Sequence, residues 1–144
     1  MALINALSID VEDWFQVSAF ASYIDRVQWP DMPCRVERNV DLLLELLAAT
    51  DIVATFFTLG WIASRYPHLV RRIVENGHEL ANHGYAHQRA SEQSQEQFRD
   101  DLLRSRSVLE DISGKRVDGY RAPSFSIGRT NPWAHDIIVD TGHR

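Results

Sequence analysis

Apolar and polar positions alternate along the chain in blocks that predict strand and helix in turn. Leu3 to Ile9 is a short apolar run ending in an acidic cluster, which predicts a buried strand with carboxylates at its C-terminal end. Residues 14–35 carry Trp14, Phe15, Phe20, Tyr23, Trp29, Pro30 and Pro33 without a period, and predict a loop with one short helix. Val36, Val40, Leu43, Leu44 and Leu47 then share one helical face, and Thr50-Asp51 ends that helix. Ile52 to Leu59 is β-branched and aromatic, a second strand, with Gly60 at its end. Pro67 suits the first turn of a helix whose apolar face is Leu69, Val70, Ile73 and Val74, and Gly77 suits its C-terminal cap. His78 to Asn82 is a third, short strand running into His83. Ser94 and Gln97 have the spacing of a capping box for a helix on Phe98, Leu102, Leu109 and Ile112, stopped at Gly114. Val117 to Tyr120 predicts a fourth strand, and Asn131-Pro132 opens a last helix that Gly142 stops.

Strand and helix thus repeat about four times, an order that implies an α/β fold of parallel strands joined by right-handed helical crossovers. Each cluster of polar, chemically capable residues comes directly after a strand, where ligand sites of α/β folds are built. A complete (β/α) barrel takes roughly 250 residues. The expectation for residues 1–144 is therefore about half a barrel, the N-terminal part of a longer catalytic domain, a fragment or truncated product ending at Gly142-His143-Arg144 where the next strand is due.

Composition narrows the function classes. With 144 residues and 44% hydrophobic positions the chain can bury a real core. A net charge of -5 and the lack of any Lys/Arg run argue against nucleic acid as a partner. The single cysteine, Cys34, excludes an intrachain disulfide framework and a cysteine-based zinc site, and between Pro33 and Arg35 it reads as a passive loop residue. The first ten residues lack a basic start and a small-residue cleavage pattern, and no stretch is apolar enough to span a bilayer, so the expected location is the cytoplasm.

Three clusters carry candidate chemistry. Asp10-Val-Glu12-Asp13 places three carboxylates within four residues, a repulsion that a divalent metal relieves while leaving one carboxylate free as a general base. His83-Gly-Tyr-Ala-His87 spaces two histidines to share one face of a helical turn and grip one ion, without the glutamate that the metalloprotease pattern needs. His78, five residues earlier, reads as a packed strand residue. Arg121-Ala-Pro-Ser124-Phe125 offers a guanidinium that can orient a carboxylate and a proline-stiffened backbone whose following N–H can point into a site. Alone, the acidic cluster reads rather as a solvated turn and the arginine as a surface residue beside a turn proline, while the histidine pair stands against an exposed-loop reading. Together, one carboxylate and two histidines leave positions open for water and substrate, which is a catalytic rather than a structural arrangement.

The string Ala6-Leu-Ser-Ile-Asp-Val-Glu-Asp-Trp-Phe15 resembles the first motif of the polysaccharide deacetylases, carbohydrate esterase family four. Ala54-Thr-Phe-Phe-Thr-Leu-Gly60, the segment Gly77 to His87, and Gly119-Tyr-Arg-Ala-Pro-Ser124 are similar to further family segments in the same order. The Asp-Val-Glu-Asp-Trp-Phe form resembles the subgroup associated with exosortase and exopolysaccharide clusters. The resemblance implies a (β/α) barrel-type deacetylase fold, with Asp10 as general base, His83 and His87 as metal ligands, and Arg121 positioning the base. It implies a metal carboxylate directly after the base. Val11 stands there, so the ligand is Glu12 or Asp13; family members with a carboxylate–residue–carboxylate form favour Glu12 by spacing, and Asp13 stays open. Ser124 replaces the usual aromatic residue at the position whose backbone N–H contacts the substrate oxyanion. His135 and His143 lie outside any matching context.

The function so implied is metal-dependent removal of N-acetyl groups from an amino-sugar polysaccharide or oligosaccharide. Zinc is the expected ion, with cobalt, nickel or iron as alternatives. Hydrolysis of small amides, as in allantoinase-like relatives, and an inactive metal- or carbohydrate-binding fragment are the competing expectations. Unpaired sheet edges in half a barrel would favour homo-oligomers.

Overall fold

The structure, a computed structural model, describes residues 5–144, so the expected strand start at Leu3 lies outside the described residues. Among the described residues, three short parallel strands form the sheet: β1 (Ser8–Val11), β2 (Thr55–Thr58) and β3 (Glu79–Asn82), in spatial order β1-β2-β3. Helix α1 (Val36–Thr50) joins β1 to β2, helices α2 (Gly60–Arg65) and α3 (Pro67–Glu75) join β2 to β3, and α4 (Gln95–Ser113) and α5 (Trp133–Asp140) follow. The α/β class and parallel sheet are those the pattern predicts. The register Val11–Thr58–Asn82 ends all three strands on one line, so Glu12, Leu59 and His83 emerge together at the C-terminal edge.

Side-chain alternation divides the sheet into two faces. Val11 and Phe56 are buried on the face covered by helices, within a cluster that includes Val36, Val40, Leu44, Ile62, Leu69 and Ile73. Ser8, Asp10 and Phe57 point to the other face, which is more open. A second cluster of Ala63, Val70, Leu80, Leu109 and Val117 seats α4, and a third joins Phe98 and Leu102 to Ala134 and Ile137 of α5.

Helix ends follow local chemistry. Ser94 and Gln97 form the reciprocal capping box of α4, and Gly114 closes it in the left-handed conformation (φ 63°). Asp51 ends α1 with φ 52°, its N–H on the Ala48 carbonyl.

Two expectations are corrected. Val117–Tyr120 is not a strand: only Tyr120 bridges to Asn82, and the Val117 N–H is taken by the Glu110 carboxylate at 2.9 Å instead of by a neighbouring strand. Helix α2 was not expected, because Gly60 reads as a strand stop. Gly60 is instead its first residue, where a Cβ would stand 2.6 Å from the Tyr85 ring and 2.8 Å from Ser105 Oγ. Only glycine lets α2 approach α4 and the histidine loop so closely.

The aromatic segment 14–35 is a packed loop with two 3-10 turns, Ser18–Phe20 and Arg26–Asp31, rather than one short helix. Phe15, Trp29 and Trp61 meet edge-to-face at centroid distances of 5.6–6.1 Å and fix it to α2. Among the described residues, no helix is long and apolar enough to cross a membrane.

Candidate metal and catalytic centre

The three strand ends bring the sequence-distant clusters together. Glu12 leaves β1, and His83 and His87 leave β3. One ligand atom from each lies within 4.8 Å of the others. Glu12 Oε2 stands 2.9 Å from His87 Nε2 and 3.7 Å from His83 Nε2, yet it is buried and makes no hydrogen bond. His83 Nδ1 donates to the Arg121 carbonyl at 2.8 Å, since a carbonyl can only accept. That fixes the tautomer and leaves the Nε2 lone pair facing Glu12. Burial lowers the His83 pKa, against the pull of Asp10, the Arg121 carbonyl and Glu12, and so favours the neutral form that binds metals. An orphaned buried carboxylate oxygen facing imidazole nitrogens is a donor set that suits a divalent cation.

The expected helical turn between the histidines does not form. His83 to His87 is a loop, with Gly84 at φ 77° and His87 at φ 50°. The loop is held from several sides. Asn82 Oδ1 accepts the Gly84 N–H at 2.8 Å, and the Gly60 N–H and Ser105 hydroxyl both donate to the Gly84 carbonyl. The Trp61 N–H holds the Tyr85 carbonyl, and Arg26 Nε holds the Ala86 carbonyl at 2.9 Å.

Asp13 is placed elsewhere. Its carboxylate accepts the backbone N–H groups of Trp14, Arg35 and Val36 at 2.5–2.9 Å, tying the end of β1 to the start of α1. It is 4% exposed and its acceptor capacity is occupied, so it does not join the Glu12–His83–His87 group.

Asp10 and Arg121 meet on the open face of the sheet. Arg121 Nη1 donates to Asp10 Oδ1 at 2.5 Å, Nη2 donates to Ser8 Oγ at 2.6 Å, and the guanidinium lies 4.0 Å from the centroid of the Phe57 ring. The other Asp10 oxygen, Oδ2, is 3.9 Å from His83 Nε2. A cavity of about 420 Å³ is lined by Asp10, Glu12, His83, His87, Arg121 and Ser124. Ser124 sits at φ 54° and Phe125 at φ 52°, and Ser124 Oγ is 2.6 Å from Ser18 Oγ of the aromatic segment. Three of the four non-glycine residues with positive φ among the described residues, His87, Ser124 and Phe125, therefore line this one cavity. Strain of this kind is retained where a site requires it.

The motif reading missed several supporting residues. Asp101 on α4 accepts the Tyr85 N–H with both carboxylate oxygens, at 3.1 and 3.3 Å. Burial pushes its pKa up to about 6, against the Tyr85 N–H, Arg104 and Arg26. A signal was available: Asp101 and Ser105 fall on the stripe of Phe98, Leu102 and Leu109, and polar residues on a buried stripe call for explanation. Asn82, fully buried at the end of β3, donates to the Leu102 carbonyl and to His143 Nε2. His143 is thereby a buried support of β3, with its pKa lowered to about 4, mainly by burial. His135 is exposed on α5. His78 packs on Phe56 at the opposite end of β3, its Nδ1 accepting the Ala54 N–H. Cys34 is half-buried with its thiol pKa raised, chiefly by burial, which fits a passive role.

Residues 28–142 match the family model described as polysaccharide deacetylase. The chain belongs to the polysaccharide deacetylase family. A peptidoglycan-N-acetylglucosamine deacetylase of Bacillus cereus is 32% identical over 83 residues, covering 58% of this chain and 28% of that protein. A peptidoglycan deacetylase of Helicobacter pylori is 29% identical over 114 residues, covering 74% of this chain and 39% of that protein. In fold, the chain is similar to a carbohydrate esterase family four pseudoenzyme from Bacillus anthracis, with a TM-score of 0.74 and 22% identity over 96% of this chain and 40% of that one. The chain thus spans less than half the length of these polysaccharide deacetylase relatives. A pseudoenzyme with this fold shows that the fold alone does not assign activity, and the residues of the site must carry that argument.

Proposed function

We propose that this chain carries the metal-binding and general-base part of a deacetylase that removes N-acetyl groups from an amino-sugar polymer. The observation that carries this reading is the convergence of Glu12, His83 and His87 in the cavity that also holds Asp10. Glu12, rather than Asp13, is the carboxylate ligand in this reading, because Asp13 is consumed by three backbone N–H groups. Zinc is the proposed ion, supported by a donor set of two imidazoles and one carboxylate. A divalent ion held there supplies Lewis acidity, lowering the pKa of water and polarising the acetyl carbonyl.

The residues of the chain do the rest. Asp10 Oδ2 accepts the proton of the attacking water, while Arg121, gripping Oδ1, keeps that carboxylate aimed. Hydroxide adds to the acetyl carbon. The oxyanion that forms is stabilised by a backbone N–H of the strained Ser124 turn. Its collapse breaks the C–N bond and releases acetate, and the proton taken up by Asp10 passes to the leaving amine. The Asp-Val-Glu-Asp-Trp-Phe string supports placing the chain in the exopolysaccharide-associated subgroup. The test is acetate release by the complete protein from acetylated chito-oligosaccharides and peptidoglycan, run beside small cyclic amides. Release from the polymers alone supports this reading, and turnover of the small amides alone replaces it with the allantoinase-like one. A metal-loaded protein inert on every substrate is the result expected of a binding remnant.

A further inference from the structure

A metal held by one carboxylate and two imidazoles needs the two ring nitrogens at a fixed separation, and the two histidines are held in place differently. His83 is anchored by its own ring, Nδ1 donating to the Arg121 carbonyl at 2.8 Å. His87 has no such anchor: its Nδ1 is buried and without a hydrogen-bond partner among the described residues. Where His87 stands is therefore set by the backbone of Gly84-Tyr85-Ala86, which belongs to no helix or strand.

One amide of this loop is taken by helix α4. The Tyr85 N–H, two residues before His87, donates to both oxygens of Asp101, at 3.1 and 3.3 Å. Asp101 reaches it because residue 84 is glycine. A Cβ on Gly84 would stand 2.8 Å from Asp101 Oδ2, and the backbone there has a φ of 77°. Glycine and carboxylate are thus a matched pair. Two cations reinforce the arrangement. The Arg104 guanidinium lies 3.4 Å from the centroid of the Tyr85 ring, and Arg26 Nε donates to the Ala86 carbonyl at 2.9 Å. Burial raises the Asp101 pKa, and the Tyr85 N–H and both guanidiniums oppose it. Asp101 is not among the residues that line the cavity, so any effect it has on a metal passes through the loop.

We infer that Asp101 is a positioning residue of the metal centre: through the Tyr85 N–H it fixes where His87 stands relative to Glu12 and His83, and Gly84 is the residue that admits it. This rests on the metal-dependent reading of the site.

The test is zinc affinity at neutral pH, by competition with a chromophoric chelator, together with the visible absorption spectrum of the cobalt-loaded protein. Asp101→Ala should weaken zinc binding about tenfold to a hundredfold and alter the cobalt bands, because the loop amide loses its acceptor and His87 shifts. Asp101→Asn, which keeps an acceptor in the same place, should return affinity and spectrum to those of the wild type. Leu109→Ala opens a cavity in the same helix, in the cluster with Val70 and Val117, and should lower the melting temperature while leaving zinc affinity unchanged. If Asp101→Ala does not fold, Asp101→Glu takes its place: it keeps the charge, but its longer side chain pushes the loop away from α4, so zinc should again bind more weakly. Wild-type zinc affinity and cobalt spectrum in a folded Asp101→Ala or Asp101→Glu, no recovery in Asp101→Asn, or an equal loss in Leu109→Ala, overturns the positioning role and leaves the metal centre standing. A wild-type protein that takes up no zinc overturns the metal centre and this role together.

Discussion

Arg121 and Asp10 lie 111 residues apart in the chain and meet at 2.5 Å, Nη1 to Oδ1, on the open face of the sheet. Phe57 and Ser8 hold the guanidinium from two further sides. On the proposed deacetylase reading, Asp10→Asn should keep its metal and lose turnover by about a hundredfold to ten-thousandfold, the range of a lost general base. Arg121→Lys, which cannot reach Asp10 and Ser8 together, should lower kcat with little change in KM. Metal content and steady-state kinetics on both variants check this. Metal loss or near-full activity in Asp10→Asn would remove the base assignment.

Glu12 and Asp13 are neighbours with different work. Glu12→Ala should lose the metal at little cost to stability, because its buried oxygen has no partner to leave behind. Asp13→Ala should keep the metal and lose about 2–3 kcal/mol, since three N–H groups lose their acceptor. Denaturant titration beside metal analysis separates the two. The opposite pattern would exchange their roles.

Asp101 makes a pH prediction. Its folded pKa, about 6, lies above the ordinary carboxylate value, so the folded chain binds more protons than the unfolded chain between about pH 4 and 6. The contribution of this group to stability is full below pH 4 and is lost as pH rises to 6. Asp101→Asn keeps an acceptor for the Tyr85 N–H and removes the titration. The variant should therefore gain on wild type across that interval, by up to about 3 kcal/mol above pH 6. Melting curves of both proteins at pH 4, 5, 6 and 7 measure the difference, and parallel profiles would contradict the assignment.

The sequence made much of this legible where the signals are local. Helix α4 could be read from Ser94, Gln97 and Gly114 because caps act within a turn. The short spacing of His83 and His87 marked them as a pair, although a loop with positive φ at Gly84 and His87 replaces the expected helical turn. What stayed hidden depends on distant partners. Glu12 and Asp13 differ by the Arg35 and Val36 amides that claim Asp13 across more than twenty residues. The fourth strand fails because a side chain on α4, Glu110, captures the Val117 N–H. Gly60 reads as a stop until the close approach of Tyr85 and Ser105 shows why a helix begins there.

The central claim is that Glu12, His83 and His87 form a metal site, and elemental analysis of the purified chain beside His83→Ala, after dialysis against zinc, tests it most directly. Stoichiometric zinc in the wild type that is lost in the variant is the predicted result. No zinc in the wild type, or equal zinc in a folded His83→Ala, would contradict it.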